Sequence, residues 1–401
     1  MRWASALSER RELESAVGEA GDALRRELGD LPAHLVVAFA STQHSGALAA
    51  LSDALQRELP DALVLGCSAR SVIGAGRELE ESTGLALAAA HLPRVGLHPF
   101  QLDSADGVGG AEAAEEWVHG ADLAGEHDPA FLLLADPFTS DSQAIAHGLD
   151  RPFRDAVAIG GLASGGEGPG ENVLLLADQV HRQGCVGVAL TGDVRVDPVI
   201  AQGCRPVGSP MFVTRASGNM IHELDGEPPT TILGELFAQA SPRDQSLFRT
   251  SLFLGVEMRP AQLEYGQGDF LVRNLLGADN DSGAIAVAAD LAERQVVQFH
   301  LRDGETASRD LHLRLSDYQD RLHDDDAQAA PSGALLFSCL GRGEQLYGVP
   351  NHDIDAFGKH LGKVPLAGFF CNGELGPVGG TPFLHGYTSA FAIFRSRNRQ
   401  A

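Results

Sequence analysis

Three polar residues each close an apolar run: Ser41 after His34–Ala40, Asp136 after Phe131–Ala135, and Cys339 after Ala334–Ser338. A helix-like stretch follows each one. A second apolar run then enters a glycine-rich turn, and these turns supply Cys67-Ser68-Ala69-Arg70 (after Gly66), Gly161-Leu162-Ala163-Ser164 and Cys371-Asn372-Gly373-Glu374. The intervals from Ser41 to Gly66, Asp136 to Gly160 and Cys339 to Gly368 are 25, 24 and 29 residues. A pattern recurring at a near-fixed period marks a structural repeat. Ligands of α/β sheets sit beyond the carboxyl ends of strands, where loops diverge. Glycine lets a turn approach a ligand closely and aim its N–H groups at a carboxylate or carbonyl. The candidate ligand-binding set is therefore Ser41, Cys67, Arg70, Asp136, Ser164, Cys339, Arg342, Cys371, Asn372 and Glu374. Arg342 can grip an anionic group through two nitrogens while Asp136 or Glu374 meets an ammonium, a combination suited to an amino acid. The competing expectation is an Arg–carboxylate pair internal to the fold. Arg302-Asp303 belongs to that structural kind, with Asp303 placed to cap the helix after it.

Other chemistries find weaker support in the residues. A nucleophilic Cys339 requires a thiolate-stabilising neighbour, and His352, His360 and His385 are near it only in sequence. His222-Glu223 begins like a zinc-protease helix, but position 226 is glycine and the second ligand is missing. The five cysteines form no C-x-x-C pair, which disfavours a cysteine zinc site and a disulfide framework. A non-covalent haem needs only one axial histidine; His34, His44, His98 and His181 all qualify, and spacing singles out none. The Gly160–Gly168 loop lacks lysine and leads into a strand at Asn172–Leu176, which argues against both Walker and dinucleotide cradles.

The elements that must position these groups alternate between helix and strand, with hairpins interposed. The expected order is an opening helix over Ser8–Leu28, preceded by a helix-like N-terminus, and then the first repeat. Strands Gly84–Ala89 and Val95–Phe100 pair as a meander, and a surface helix lies within Ser104–Glu126. After the second repeat come strands Asn172–Leu176, Val186–Leu190 and Val194–Ala201, read as antiparallel hairpins. A strand over Met211–Thr214 precedes the turn Leu224–Pro229 and a helix from Thr230. Strands over Ser251–Glu257, Asp269–Val272, Ala284–Ala288 and Val296–Leu301, then a helix over Thr306–Asp324, lead to the third repeat and a closing strand over Gly386–Phe394. The fold class is α/β with mixed sheets, because hairpins rule out a purely parallel arrangement.

Composition bounds the partners. The 401 residues carry a net charge of -24, and only Lys359 and Lys363 are lysines. So acidic a chain disfavours nucleic acid and anionic membranes. No apolar run reaches bilayer-spanning length, the charged N-terminus is no secretory signal, and the cysteine usage fits a cytoplasmic protein with reduced thiols.

Several segments carry a family resemblance: Phe337-Ser338-Cys339-Leu340-Gly341-Arg342-Gly343, Pro365 to Pro377 containing Gly-Phe-Phe-Cys-Asn-Gly-Glu, and His385 to Ala390. Together they resemble the FIST C-terminal domain. Gln202–Gly208 and Leu224-Asp225-Gly226 are similar to the end of the FIST N-terminal domain, and Phe299–Asp303 also fits the pattern. The resemblance covers about Pro32 to Phe394. Behind the N-terminal helix, taken as 1–30, it implies a FIST N domain over 31–225 and a FIST C domain over 226–401. It further implies a sensory module for small metabolites such as amino acids rather than an enzyme, acting through a separate signalling partner. Some family members are haem proteins that sense nitric oxide and regulate a histidine kinase, so haem and a kinase partner are the alternative expectation. A thiol-dependent enzyme using Cys339 is the third.

Overall fold

In a computed structural model the described residues are 1–102, 110–121, 123, 128–153, 156–260, 262–324 and 330–397. The chain divides into two compact units, one of Met1–Ile200, Leu311–Leu384 and Thr388–Ala401, the other of Ala201–Asp310 and His385–Tyr387.

The larger unit holds all three repeats. The leading strands Leu35–Ser41, Ala130–Ala135 and Gly333–Cys339 are continuous apolar runs, the pattern of strands buried on both faces. Each pairs in parallel with its returning strand: Leu63–Ala69, Val157–Leu162 or Leu366–Cys371. The repeat glycines explain the fit. A methyl group on Gly66, Gly160 or Gly368 would lie 2.5, 1.9 or 2.1 Å from the carbonyl oxygen of Ala38, Leu133 or Leu336, its register partner. These glycines therefore act inside the strands, by allowing close backbone approach, and not in the turns.

Each parallel pair sits in its own six-stranded mixed sheet, flanked by antiparallel strands. The inner faces share one core, in which Phe39 of the first repeat stacks on Phe369 of the third at 4.8 Å. Helices cover the outer faces: Leu13–Leu28 and Leu51–Glu58 over the first sheet, Gly110–Gly120 and Ser142–Asp150 over the second. On the third sheet the helix His352–Leu361 stacks Phe357 on Phe391 at 5.4 Å.

The smaller unit is a closed barrel of six strands, from Cys204–Ser217 to Val296–Arg302. It also carries the helices Pro229–Gln239 and Pro242–Thr250. Asp303 caps Gly304–Asp324 as expected, accepting the Thr306 amide at 2.8 Å. His222 and Glu223 lie on a barrel strand.

Four local expectations differ from the structure. The N-terminus is a strand, Arg2–Ser8, whose small and apolar residues complete the edge of the first sheet against Leu85–His91. Leu85–His91 and Val95–Leu102 do not form a meander; the former joins the first sheet and the latter pairs with Cys185–Gly192 in the second. Cys185–Gly192 and Arg195–Gln202 likewise separate into different sheets, the former between Val95–Leu102 and Ala130–Ala135, the latter beside Thr388–Arg395. The surface helix shortens to Gly110–Gly120, and residues 104–109, 122 and 124–126 of the expected span lie outside the described residues.

Candidate functional site

The ends of the three returning strands meet. Ser164 is the hub: its hydroxyl donates to the carbonyl of Phe370 at 2.5 Å and accepts the amide of Arg70 at 3.0 Å. Its own amide donates to the carbonyl of Ser68 at 3.3 Å. Asn372 closes the same junction from the third repeat, donating its amide to Leu162 O and its side-chain nitrogen to Ala163 O, both at 3.1 Å. One serine and one asparagine thus satisfy strand-end groups that would otherwise have no ladder partner.

From this junction the first repeat continues into the strand Ser71–Gly74, which pairs antiparallel with the third repeat's returning strand through Ser71↔Phe370 and Val72↔Phe369. A hairpin to Arg77–Leu79 then carries Glu78 to the start of the helix His352–Leu361. There the Glu78 amide donates to the Asn351 side chain at 2.8 Å, and its carboxylate accepts the Ile354 amide at 3.0 Å. Glu80 reaches the opposite loop and accepts the Glu344 amide at 2.8 Å. That approach needs glycine at 343, where φ is +81° and a methyl group would fall 2.5 Å from Glu80 Oε1.

Beneath this hairpin lies a buried ionic cluster. Arg342 is 1% exposed and Asp353 2%. Arg342 donates Nε and Nη2 to Asp353 at 2.9 and 3.2 Å. Ser338 donates to Asp353 at 3.1 Å; Ser389 and His352 also bond it. Burial opposes ionisation of Asp353, yet the Arg342 charge and the bonds from His352, Arg342 and Ser389 outweigh it and hold the carboxyl far below its usual range. Glu78 is the reverse case: burial, reinforced by the Asp353 charge, pushes it up to about 8. Glu374 is fully buried and pushed up to about 7 by desolvation, against hydrogen bonds from Thr388 at 2.7 and 3.0 Å. The Cys371 thiol donates to Glu374 Oε1 at 3.4 Å.

A cleft of about 460 Å³ opens over this cluster, lined by Arg70, Ser71, Glu80, Glu81, Leu340, Arg342, Gln345 and Phe370. Arg70 is exposed and lies 3.5 Å from Glu81. Arg342 is one of the lining residues, and its Nη1 is buried and has no hydrogen-bond partner among the described residues. A buried guanidinium N–H left unmatched is costly, which marks the position as one that a further acceptor would satisfy. The walls carry two cationic and two carboxylate side chains.

The candidate residues divide by position. Arg70 and Arg342 line the cleft, and Cys339 immediately precedes its Leu340 wall. Ser164 and Asn372 build the junction, while Cys371 and Glu374 lie behind it. Ser41 and Asp136 stand apart. Ser41 accepts the Gly84 amide at 2.8 Å, and Asp136 is occupied by Asn172 at 2.8 Å and Thr139 at 2.6 Å, so neither is placed to meet an ammonium beside Arg342. Cys67 belongs to the shared core, where burial pushes its thiol up. The carboxylate that Arg342 grips is Asp353, which sequence reasoning missed, as it missed Glu78, Glu80 and Ser389. An acidic residue in the first turn of a helix reads as an ordinary dipole partner, which hides the role of Asp353. The histidines near Cys339 have other company: His352 stacks on Tyr347, His360 bonds His312 at 3.0 Å, and His385 belongs to the barrel unit. Among the described residues no cluster of three or more His, Cys, Asp or Glu is arranged to hold a metal, and no helix is long and apolar enough to cross a membrane.

A mixed α/β architecture is consistent with the sensory family whose two domain models match this sequence. The FIST N domain matches residues 34–227 and the FIST C domain residues 231–377, and the chain belongs to the FIST family, whose domains mark sensory and signal-transduction proteins. The family segments and the compact units divide the chain differently: the change between 227 and 231, like the boundary expected at 225–226, falls inside the barrel unit, and the first and third repeats share one core. The chain is 36% identical to the uncharacterized protein MT0656 of Mycobacterium tuberculosis over 98% of its own length and all of that protein. It is also 36% identical to the uncharacterized protein Mb0898c of Mycobacterium bovis over 95% of each.

Proposed function

We propose that this protein is a cytoplasmic ligand sensor, not an enzyme, and that it binds a small zwitterionic metabolite such as an amino acid in the cleft between Arg70 and Arg342. The observation that carries the reading is Arg342 Nη1, a buried donor without an acceptor on a residue that lines the cleft. A carboxylate oxygen supplies the missing acceptor, and Arg70 adds a second cation at the rim. Glu80 and Glu81 on the same walls match an ammonium group. Because Nη1 is covered, contact requires a local shift that uncovers it. A ligand that binds only the shifted form changes the population of two states, which is what signalling to a separate partner needs.

A thermal-shift screen of the whole chain against L-amino acids and small carboxylates tests this. A ligand at about 100 times its Kd stabilises the folded state by about 2.7 kcal/mol. The same compound should lose its effect on Arg70→Ala, a surface change that leaves the unliganded midpoint in place. If no zwitterion or carboxylate moves the midpoint of folded protein, the reading fails.

A further inference from the structure

We infer that Cys339 and Cys371 form an oxidisable dithiol, which a hydroperoxide converts to a disulfide across two adjacent parallel strands. The two cysteines are register partners in the pairing of Gly333–Cys339 with Leu366–Cys371. Neighbouring strands lie about 4.8 Å apart, within the roughly 4.4–6.8 Å Cα separation that a disulfide spans. Register partners project to the same face. Two residues earlier, Phe337 and Phe369 meet edge-on at 5.9 Å on that face, and both approach Gly161 together with the Cys371 Cβ. Among the described residues the other cysteines are in register with residues of other types: Cys67 with Phe39 and Leu174, Cys185 with Leu102 and Ala135, and Cys204 with Arg302.

The two thiols differ in ways that divide the work. Cys339 is half-buried and Cys371 fully buried, so the oxidant meets Cys339 first. The Cys339 sulfur attacks one peroxide oxygen, the O–O bond breaks, and a sulfenic acid forms while the first water leaves with the thiol proton. Cys371 then passes its proton to Glu374, already its acceptor at 3.4 Å, and attacks the Cys339 sulfur. The S–S bond forms, the S–O bond breaks, and the departing hydroxide regains the proton from Glu374 as the second water. Two thiols and one hydrogen peroxide give one disulfide and two waters. A Glu374 carboxyl that titrates near neutrality suits both transfers.

The test is to treat the full chain with hydrogen peroxide, count thiols after denaturation and analyse tryptic peptides by mass spectrometry. Cleavage after Arg342 and Lys363 separates the two cysteines. The expected result is loss of two of the five thiols, with the Cys339 and Cys371 peptides joined and lighter by two hydrogens, reversed by dithiothreitol. Cys371→Ser should stop at a Cys339 sulfenic acid that dimedone traps, and Glu374→Gln should slow closure of the bridge without slowing sulfenic acid formation. The wild-type result stands alone if a variant does not fold. Oxidation of Cys339 to the sulfinic acid with Cys371 still reduced, or no thiol loss at either residue, would overturn the proposal.

Discussion

Replacing Asp353 by alanine strands the Arg342 guanidinium in the interior. Both groups are essentially without solvent contact, so water cannot take over the lost partner. Removing one member of a buried ion pair costs about 3–5 kcal/mol, most of it the penalty for the charge left behind. At roughly 2–4 °C per kcal/mol for a large domain, the midpoint should fall by about 6–20 °C. The double variant Arg342→Met/Asp353→Leu removes the stranded charge and fills the space, and should be more stable than Asp353→Ala alone. Urea denaturation of the wild type, Arg342→Met, Asp353→Leu and the double variant closes the cycle. The reasoning is refuted if Asp353→Ala stays within about 0.5 kcal/mol of the wild type, or if the two single losses simply add.

Other perturbations probe separate links. Gly160→Ala places a methyl group 1.9 Å from Leu133 O and must part a parallel pair, so a loss of about 3 kcal/mol or more is expected by the same denaturation assay. Ser164→Ala leaves Phe370 O and the Arg70 amide unmatched at the junction and should cost about 1–3 kcal/mol, with faster amide exchange at Arg70. Glu374 is raised in the folded state to about 7 from 4.5, so the fold binds more protons than the unfolded chain between those values. Its contribution to stability is therefore full below the unfolded pKa and is lost as pH rises through the folded one. Glu374→Gln should flatten the decline between about pH 5 and 8 by on the order of 2–3 kcal/mol, read from denaturation midpoints across that range.

The repeats were legible because buried parallel strands write themselves as unbroken apolar runs, and the recurring glycines mark where backbones touch. Arg342 and Ser164 were likewise readable from position alone, since polar residues at the ends of such runs have few places to go. Pairing across repeats was not readable. That Ser71–Gly74 would join the third repeat, and so bring Glu78 and Glu80 over Arg342, depends on contacts between residues nearly 300 apart, which no local pattern encodes. Asp136 misled for a related reason: its oxygens are taken by Asn172, Thr139 and the Phe138 amide, partners supplied largely by its own loop. The strand Arg2–Ser8 was missed because charges at Arg2 and beyond Ser8 masked a short run whose burial comes from Leu85–His91.

The most direct measurement is a crystal structure of the protein soaked with the amino acid that stabilises it best. Ligand density in the cleft, with a carboxylate oxygen about 2.7–2.9 Å from Arg342 Nη1 and the ammonium facing Glu80 or Glu81, is the predicted result. A ligand bound elsewhere, with Arg342 Nη1 still covered and unmatched, would contradict the account.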